Sequence, residues 1–294
     1  MKVSTAAPAT THTAARQLLD MVEHAEQALA AEQAVIDGLN VFPVPDGDTG
    51  KNMLATIREA LAQARGAESL TQAAAALARG ALLGARGNSG VILSQVFRGL
   101  AESVQRSGRL DAPTMRDAFR RAHALARASV SNPVEGTMLS VLGTCAAVEA
   151  KVDLVAQFAA EVAAAQEAVA RTPEQLPILA EAQVVDSGGY GLLTMLRGCC
   201  TSLGYVPAAE ADKGLLGVDR VRRQVAAGGA NPADLVPAPA EPYGQCVTVL
   251  VDAPGVDQAA VRSRLGELGS SVLVVASGDQ LKMHLHLAEP RLVV

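Results

Sequence analysis

The stretch Gly84-Ala-Arg-Gly-Asn-Ser-Gly-Val-Ile-Leu-Ser-Gln-Val-Phe-Arg-Gly-Leu-Ala-Glu-Ser-Val104 sets the pattern for most of the chain. A glycine-rich link gives way to a run in which Ile92, Val96, Leu100 and Val104 recur at every fourth position, with Leu93 and Phe97 beside them. That is the period of a helix with one buried stripe. The same alternation of link and stripe continues on either side. A first helix is predicted over 13–38, with Leu18, Val22, Ala25 and Leu29 in register. Others are predicted at roughly 50–65, 69–83, 88–107, 111–129, 135–149, 153–171 and 189–204, with a short extra turn near 174–182. Short connections make neighbouring helices antiparallel.

Composition agrees. Hydrophobic residues are 49% of the 294 and charged residues 19%, enough apolar material for a large core. Aromatics are only 2%, so that core is built from Ala, Leu and Val, and Ala and Leu favour helix. The net charge of −5, with no basic run, argues against a protein held on nucleic acid by phosphate contacts. There is no apolar stretch long enough to span a bilayer. Residues 1–12 read as a frayed tail without the apolar run of a signal peptide. Four irregularly spaced Cys read as reduced thiols of a cytoplasmic protein.

The unusual residues fall in the links. Those over 42–50, 84–90, 131–137 and 186–191 are rich in Gly, Pro, Asn and Asp, and they precede the second, fourth, sixth and eighth helices. In an up-and-down array alternate links share one end, so all four can gather at one rim. The first, within Leu39-Asn-Val-Phe-Pro-Val-Pro-Asp-Gly-Asp-Thr-Gly-Lys-Asn-Met53, sets Asp46 and Asp48 on either side of one Gly. Pro43 and Pro45 stiffen the approach. Two carboxylates so close repel unless a cation lies between them. Magnesium takes one or two protein carboxylates together with substrate phosphates, and Asn40 offers a neutral oxygen nearby. A plain acidic turn capping the next helix is the competing reading. An EF-hand fails, because Ile57 stands where its bidentate Glu belongs. At the 84–90 link, backbone N–H groups at a helix start attract phosphate, and Ser89 adds a hydroxyl. No Walker-type Gly-x-x-x-x-Gly-Lys-Ser/Thr occurs, and no dinucleotide fingerprint follows a strand.

Residues 206–243 change character, with Pro and Ala dominant, and read as a linker with a short helix near Val218–Ala226. A β-α-β-β pattern follows over 244–294: 246–252 alternates, 257–268 is helical, 271–276 is apolar, and 281–287 alternates again after a Gly278-Asp279 turn. Lys282, His284 and His286 share one face of the last strand. Their spacing alone fits a solvated face. It also allows two imidazoles to converge on zinc, with Cys246 as a third ligand if the strands are neighbours.

With these motifs placed, the sequence resembles the dihydroxyacetone kinase L-subunit-like (DhaL-type) domain, in the form found at the front of bacterial fatty acid kinase ATP-binding subunits. The motifs that carry the resemblance are Asn40-Val-Phe-Pro-Val-Pro-Asp-Gly-Asp-Thr-Gly50, Gly84-Ala-Arg-Gly-Asn-Ser-Gly90, Pro133-Val-Glu-Gly-Thr137 and Asp186-Ser-Gly-Gly189. The resemblance covers about 13–205, and a weaker match after Tyr243 is similar to the middle domain of the same subunits. It implies a mainly α fold, an eight-helix antiparallel barrel with ATP at one end, followed by a partial α/β domain. It implies that Asp46 and Asp48, with Asn40, hold magnesium, and that Arg86 is a candidate to steady the transferred phosphoryl group. Thr49, Gly50, Asn52, Asn88, Ser89, Gly90, Thr137, Met138, Asp186, Gly188 and Gly189 would border the nucleotide. Cys246, His284 and His286 become candidate zinc ligands, in a role expected to be structural.

The implied reaction is phosphorylation of a fatty acid carboxylate, presented by a DegV-like carrier, to an acyl phosphate. A homodimer is compatible with this. The alternatives are the ATP-binding subunit of a dihydroxyacetone-type kinase, or a nucleotide-binding regulatory module without catalysis. Two departures stand out. Lys51 occupies a place where the family pattern expects Thr, with solvent the expected surroundings of its ammonium. The carboxyl-terminal domain of the resembled subunits is not represented.

Overall fold

The computed structural model describes residues 8–205, 212, 214–229, 231–235 and 244–288. The helices come first: α1 (Pro8–Gly38), α2 (Thr49–Ala64), α3 (Leu70–Gly84), α4 (Gly87–Ser107), α5 (Ala112–Ser129), α6 (Met138–Ala146), α7 (Leu154–Ala170), the short α8 (Thr172–Gln175) and α9 (Pro177–Ala182), and α10 (Ser187–Ser202). The expected short turn is the α8–α9 pair, so α10 is the eighth long helix. Consecutive long helices pack on one another, and α10 returns to pack on α1. The ring therefore closes into the expected eight-helix barrel.

Local signals set the helix starts. Ser69 accepts from the N–H of Gln72, Asp111 from Thr114 and Asp153 from Ala156, each satisfying a first-turn donor. Small residues let the helices approach closely. A Cβ on Gly99 of α4 would lie 2.6 Å from the Ala122 nitrogen of α5, so only glycine fits that crossing. The expected boundaries hold within a few residues, with two corrections. α1 begins at Pro8, five residues inside the segment read as a tail, while residues 1–7 lie outside the described residues. α6 is shorter than predicted because Thr137 is its N-cap, its hydroxyl accepting from the N–H of Leu139.

The segment read as a linker is partly fixed to the barrel. Its helix α11 (Val218–Ala226) buries Val218 and Val221. The Arg222 guanidinium reaches Glu32 of α1 at 3.0 Å and Asp212 at 2.7 Å, and it donates to the Tyr190 hydroxyl of α10 at 3.0 Å. Val185 N–H donates to Leu216 O at 3.0 Å, and Arg220 donates to Ala182 O at 2.9 Å. An Ala- and Pro-rich composition predicts a free tether; these contacts are long-range and leave no periodic trace. Residues 206–211, 213, 230 and 236–243 of that segment lie outside the described residues.

Three strands follow: β1 (Gln245–Asp252), β2 (Ser270–Ser277) and β3 (Gln280–Leu287), with α12 (Gln258–Gly266) between the first two. β3 is central and antiparallel to both neighbours, in the order β1-β3-β2. Alternation sorts the side chains of the inner strands. Val272, Val274, Leu281, Met283, Leu285 and Leu287 form a core with Leu265 of α12, whereas Leu273 and Val275 join the core of the barrel. Lys282 Nζ donates to the carbonyls of Leu82 (2.6 Å) and Leu83 (3.0 Å), at the negative end of the α3 dipole. Arg98 donates to Ala276 O at 2.8 Å. The sheet is thus anchored on the rim of the barrel. Among the described residues no helix is long and apolar enough to cross a membrane.

One buried acid carries a pH signature. Glu161 of α7 is wholly buried; Gln157 donates to its Oε1 at 2.8 Å, and its Oε2 has no partner among the described residues. Burial pushes its carboxyl up to about 8, against the lowering influence of the Gln157 and Cys145 hydrogen bonds. In the unfolded chain it ionises near 4.5. Between those values the native state holds a proton that the unfolded chain gives up, so stability falls as pH rises through the window, at most about 1.4 kcal/mol per unit. Thermal melts should show Glu161→Gln stabilised at pH 8 and nearly unchanged below pH 4.5. Parallel melting curves for variant and wild type across the window would show that Glu161 does not titrate there.

Candidate active site

The starts of α2, α4, α6 and α10 converge on one cavity of about 260 Å³, lined among others by Thr49, Asn88, Ser89, Thr137, Met138, Asp186 and Gly188. This is the rim expected from alternate links. Each helix start brings N–H groups without intrahelical partners, and the structure satisfies them unequally. At α2, Asp37 Oδ1 accepts from Gly50 N (2.7 Å) and Lys51 N (3.1 Å), while Asn40 Oδ1 accepts from Thr49 N (3.1 Å) and from the Thr49 hydroxyl. At α10, Asp186 Oδ2 accepts from Gly189 N at 2.7 Å. The Asp186 carboxyl also takes a hydrogen bond from the Met138 backbone; burial nonetheless pushes it up to about 6. Thr137 caps α6. At α4 no side chain caps the helix start. Among the described residues, then, the first turn of α4 at Asn88 and Ser89 is the rim start left open to an anion.

These contacts reassign several expected site residues. Asn40 is committed through its oxygen to Thr49 and through its amide to Val44 O at 2.6 Å, so it shapes the loop and does not fit the part of a magnesium ligand. Gly50 and Gly189 have their N–H groups engaged by carboxylates. Gly90 donates to Arg86 O at 3.0 Å, and a Cβ there would come within 2.7 Å of the Thr56 hydroxyl. These three glycines serve caps and packing, not phosphate contact. Asp37 escaped the sequence reading because it lies in the last turn of α1, thirteen residues before the N–H it caps. No local capping pattern points to it.

With Asp37 as the cap, the Asp48 carboxyl makes no cap hydrogen bond and turns to its neighbour. Asp46 is accessible on its outer side, yet its carboxyl is pushed up to about 6 by partial desolvation, by the charge of Asp48 and by a hydrogen bond with Asp48. Two acids in hydrogen-bond contact at a cavity edge strain each other when both ionise, and a divalent cation relieves that strain. The acidic-cap reading of this loop is thereby set aside. Asn52 and Arg86 lie with Asp48 in an open recess beside the cavity, bordered also by Lys282 and Thr248. Arg86 is exposed and at the mouth, and the Lys51 side chain is exposed as expected.

The β3 face is not solvated. Lys282, His284 and His286 are buried, because that face lies against the rim. Cys246 pairs with His286 across the ladder and Thr248 with His284. One ligand atom from each of Cys246, His284 and His286 lies within 4.8 Å of the others. Cys246 Sγ is 3.8 Å from His284 Nδ1, and the Thr248 hydroxyl is 3.0 Å from the same nitrogen. Burial, then His286 and Lys282, hold the His284 imidazole down near 4, so it is neutral at pH 7 as a metal ligand must be. The Cys246 thiol is raised by desolvation and by the charges of Asp48 and Asp46. The cluster shares a narrow recess with Asp46, Asp48, Asn88 and Ser89. It therefore sits at the phosphate end of the rim and not at a remote structural position.

Residues 43–201, more than half the chain, match the family described as DAK2 domain. The chain belongs to the DAK2 domain family. Residues 242–294 match a second family, the FakA-like middle domain of fatty acid kinase. Among curated relatives, Protein YloV of Bacillus subtilis (strain 168) is 34% identical across 94% of this chain and 51% of its own length. An uncharacterized protein of Staphylococcus haemolyticus (strain JCSC1435) is 33% identical across 92% of this chain and 50% of its own. The chain thus spans about half the length of the curated relatives it matches. The crystal structure of the dihydroxyacetone kinase of C. freundii (native form) superposes with a TM-score of 0.46 at 18% identity, over 69% of this chain and 37% of that one. The first family match runs from the aspartate loop through α10, and the second takes in all three strands.

The capping assignment is open to test. Asp37→Ala should cost about 1 kcal/mol of stability by denaturant unfolding, and Asp37→Asn, which retains an acceptor oxygen, clearly less. Equal losses in the two variants would mean that the Asp37 charge, not its hydrogen bonds, holds the start of α2.

Proposed function

We propose that this chain is the ATP-binding part of a kinase that phosphorylates a fatty acid carboxylate presented by a DegV-like carrier, giving an acyl phosphate and ADP. The observation that carries the reading is the Asp46–Asp48 pair, pressed together beside the uncapped helix start of the rim. The match of residues 242–294 to the FakA-like middle domain of fatty acid kinase favours a carboxylate over a hydroxyketone as acceptor.

The γ-phosphoryl group of ATP carries negative charge that repels an anionic acceptor. Catalysis of its transfer therefore depends on placement and charge neutralisation more than on covalent help. Magnesium held by Asp46 and Asp48 would supply that neutralisation. The backbone N–H groups of Asn88 and Ser89, with the Ser89 hydroxyl, would hold phosphate oxygens. Thr49, Thr137, Met138, Ser187 and Gly188 would border the rest of the nucleotide. Arg86, at the mouth, is placed to meet the transferred group as it leaves toward the acceptor. The acceptor carboxylate is already ionised at neutral pH and needs no general base. Its oxygen forms the new bond to γ-phosphorus as the bond to the β–γ bridging oxygen breaks and ADP departs. Cys246, His284 and His286 are proposed to bind zinc, and their place in the recess with Asp46 and Asp48 favours a role in shaping the phosphate end.

ATP consumption should require a fatty-acid-loaded carrier and should not be supported by dihydroxyacetone. Asp48→Asn should lower turnover by at least about a thousandfold, the scale on which phosphoryl transfer loses rate when a charge-stabilising group is removed, with the helical circular dichroism unchanged. Wild-type turnover in that variant at saturating ATP and magnesium would remove the metal assignment. Tag-free protein should contain about one zinc per chain by elemental analysis, with three protein ligands of the type zinc accepts. The Cys246→Ser, His284→Ala double variant should contain none. An unaltered metal content in the double variant would place the zinc elsewhere.

A further inference from the structure

The cavity at the rim is not walled by the barrel alone. Ser271, Val272 and Leu273 of β2 line it together with the starts of α2, α4, α6 and α10. Those three residues form an irregularity in the sheet. Ser270 pairs with His286 but Leu273 pairs with His284, so two residues of β2, Ser271 and Val272, stand opposite the single residue between them on β3. Ser271 has φ of 54°, a left-handed conformation that costs a residue with a Cβ. Bulges of this kind redirect a strand and are frequent beside functional sites, and local strain persists where surrounding contacts enforce it.

Here the enforcing contacts come from the barrel. Ser131 N–H donates to Val272 O at 3.1 Å, and Val130 and Leu273 form a β-bridge. The link between α5 and α6, which carries Val130, Asn132, Val134 and Thr137 to the cavity, is therefore hydrogen-bonded through its own backbone to the bulge. Leu273 is buried in the barrel core while Val272 packs into the core of the sheet, so the bulge is gripped from both sides. The anchors that seat the sheet, Lys282 on the end of α3 and Arg98 on Ala276, are contributed by residues that do not line this cavity.

We propose that the nucleotide site is shared between the two domains: the bulge at Ser271, Val272 and Leu273 is one wall of it, and a bound nucleoside phosphate and the seated sheet stabilise each other. This rests on the reading of the cavity as the nucleotide site. It adds a part that residues 43–201 do not contain. Coupling of this kind is reciprocal: whatever the sheet contributes to nucleotide affinity, the nucleotide returns to the seating of the sheet.

The test uses the full chain with ADP and magnesium, followed by calorimetric titration. Ser271→Phe puts a large side chain on the wall and should weaken ADP by about tenfold or more, whereas Ser271→Gly, which removes the side chain and the backbone strain together, should stay within about threefold of wild type. In the unaltered chain, ADP should slow amide exchange at residues 272–275 by about fivefold or more, although these residues lie outside the DAK2 match. Ser271→Phe binding ADP as tightly as wild type would overturn the proposal. So would the absence of any slowing at residues 272–275 in a chain that binds ADP, a result that stands even if the Phe variant does not fold. A wild-type chain that binds no ADP would remove the nucleotide reading itself, and the shared site with it.

Discussion

Four helices begin at one rim, and each start presents backbone N–H groups that the helix itself cannot satisfy. The site is organised by how those groups are met. Asp37 and Asn40 close the start of α2, Thr137 closes α6, and Asp186 closes α10 while also receiving the Met138 N–H. The start of α4 has no side-chain cap. Because Asp37 takes the capping duty, Asp48 is released from it and meets Asp46 instead. An acidic pair and an open helix start are thus left side by side, and each is incomplete without a ligand of opposite charge. A nucleotide phosphate carrying a divalent cation answers both at once.

The barrel was largely legible in the residues, because its elements are declared locally. The fourfold recurrence of Ile92, Val96, Leu100 and Val104, the Ser and Asp caps, and the glycine-rich links each lie within a few positions of the structure they specify. The gathering of four links at one end followed from antiparallel packing alone. What escaped depends on distant partners. Asp37 reads as an ordinary residue at the end of α1. The helix Val218–Ala226 reads as part of a tether until Arg222 meets Glu32 and Tyr190. The Lys282, His284 and His286 face reads as solvated because alternation tells which residues share a face, not what covers it. Asn40, Gly50, Gly90 and Gly189 carry the right chemistry for a nucleotide or metal, but the structure uses them to hold the loops that present other residues.

The β-rich segment changes how the site is understood. Lys282 sits on the carbonyl end of α3, one residue before the link that leads into α4, so the segment is attached next to the open helix start. From the same face come the two imidazoles that meet Cys246 beside Asp46 and Asp48. The proposed chemistry thus draws on groups far apart in sequence, from the aspartate loop to the last strand. The family match over residues 43–201 and the second over 242–294 describe two modules that share one recess. The phosphate end is where they meet.

The central claim is that Asp46 and Asp48 share a cation with the nucleotide phosphates. Manganese, which accepts the same oxygen ligands as magnesium, makes this directly observable. Pulsed electron paramagnetic resonance of the chain with Mn²⁺ and ADP should show ³¹P hyperfine coupling to the bound ion, and Asp48→Asn should abolish it while the protein stays folded. Manganese that binds at the aspartate loop without coupling to ADP phosphorus, or coupling that persists unchanged in the variant, would contradict the account.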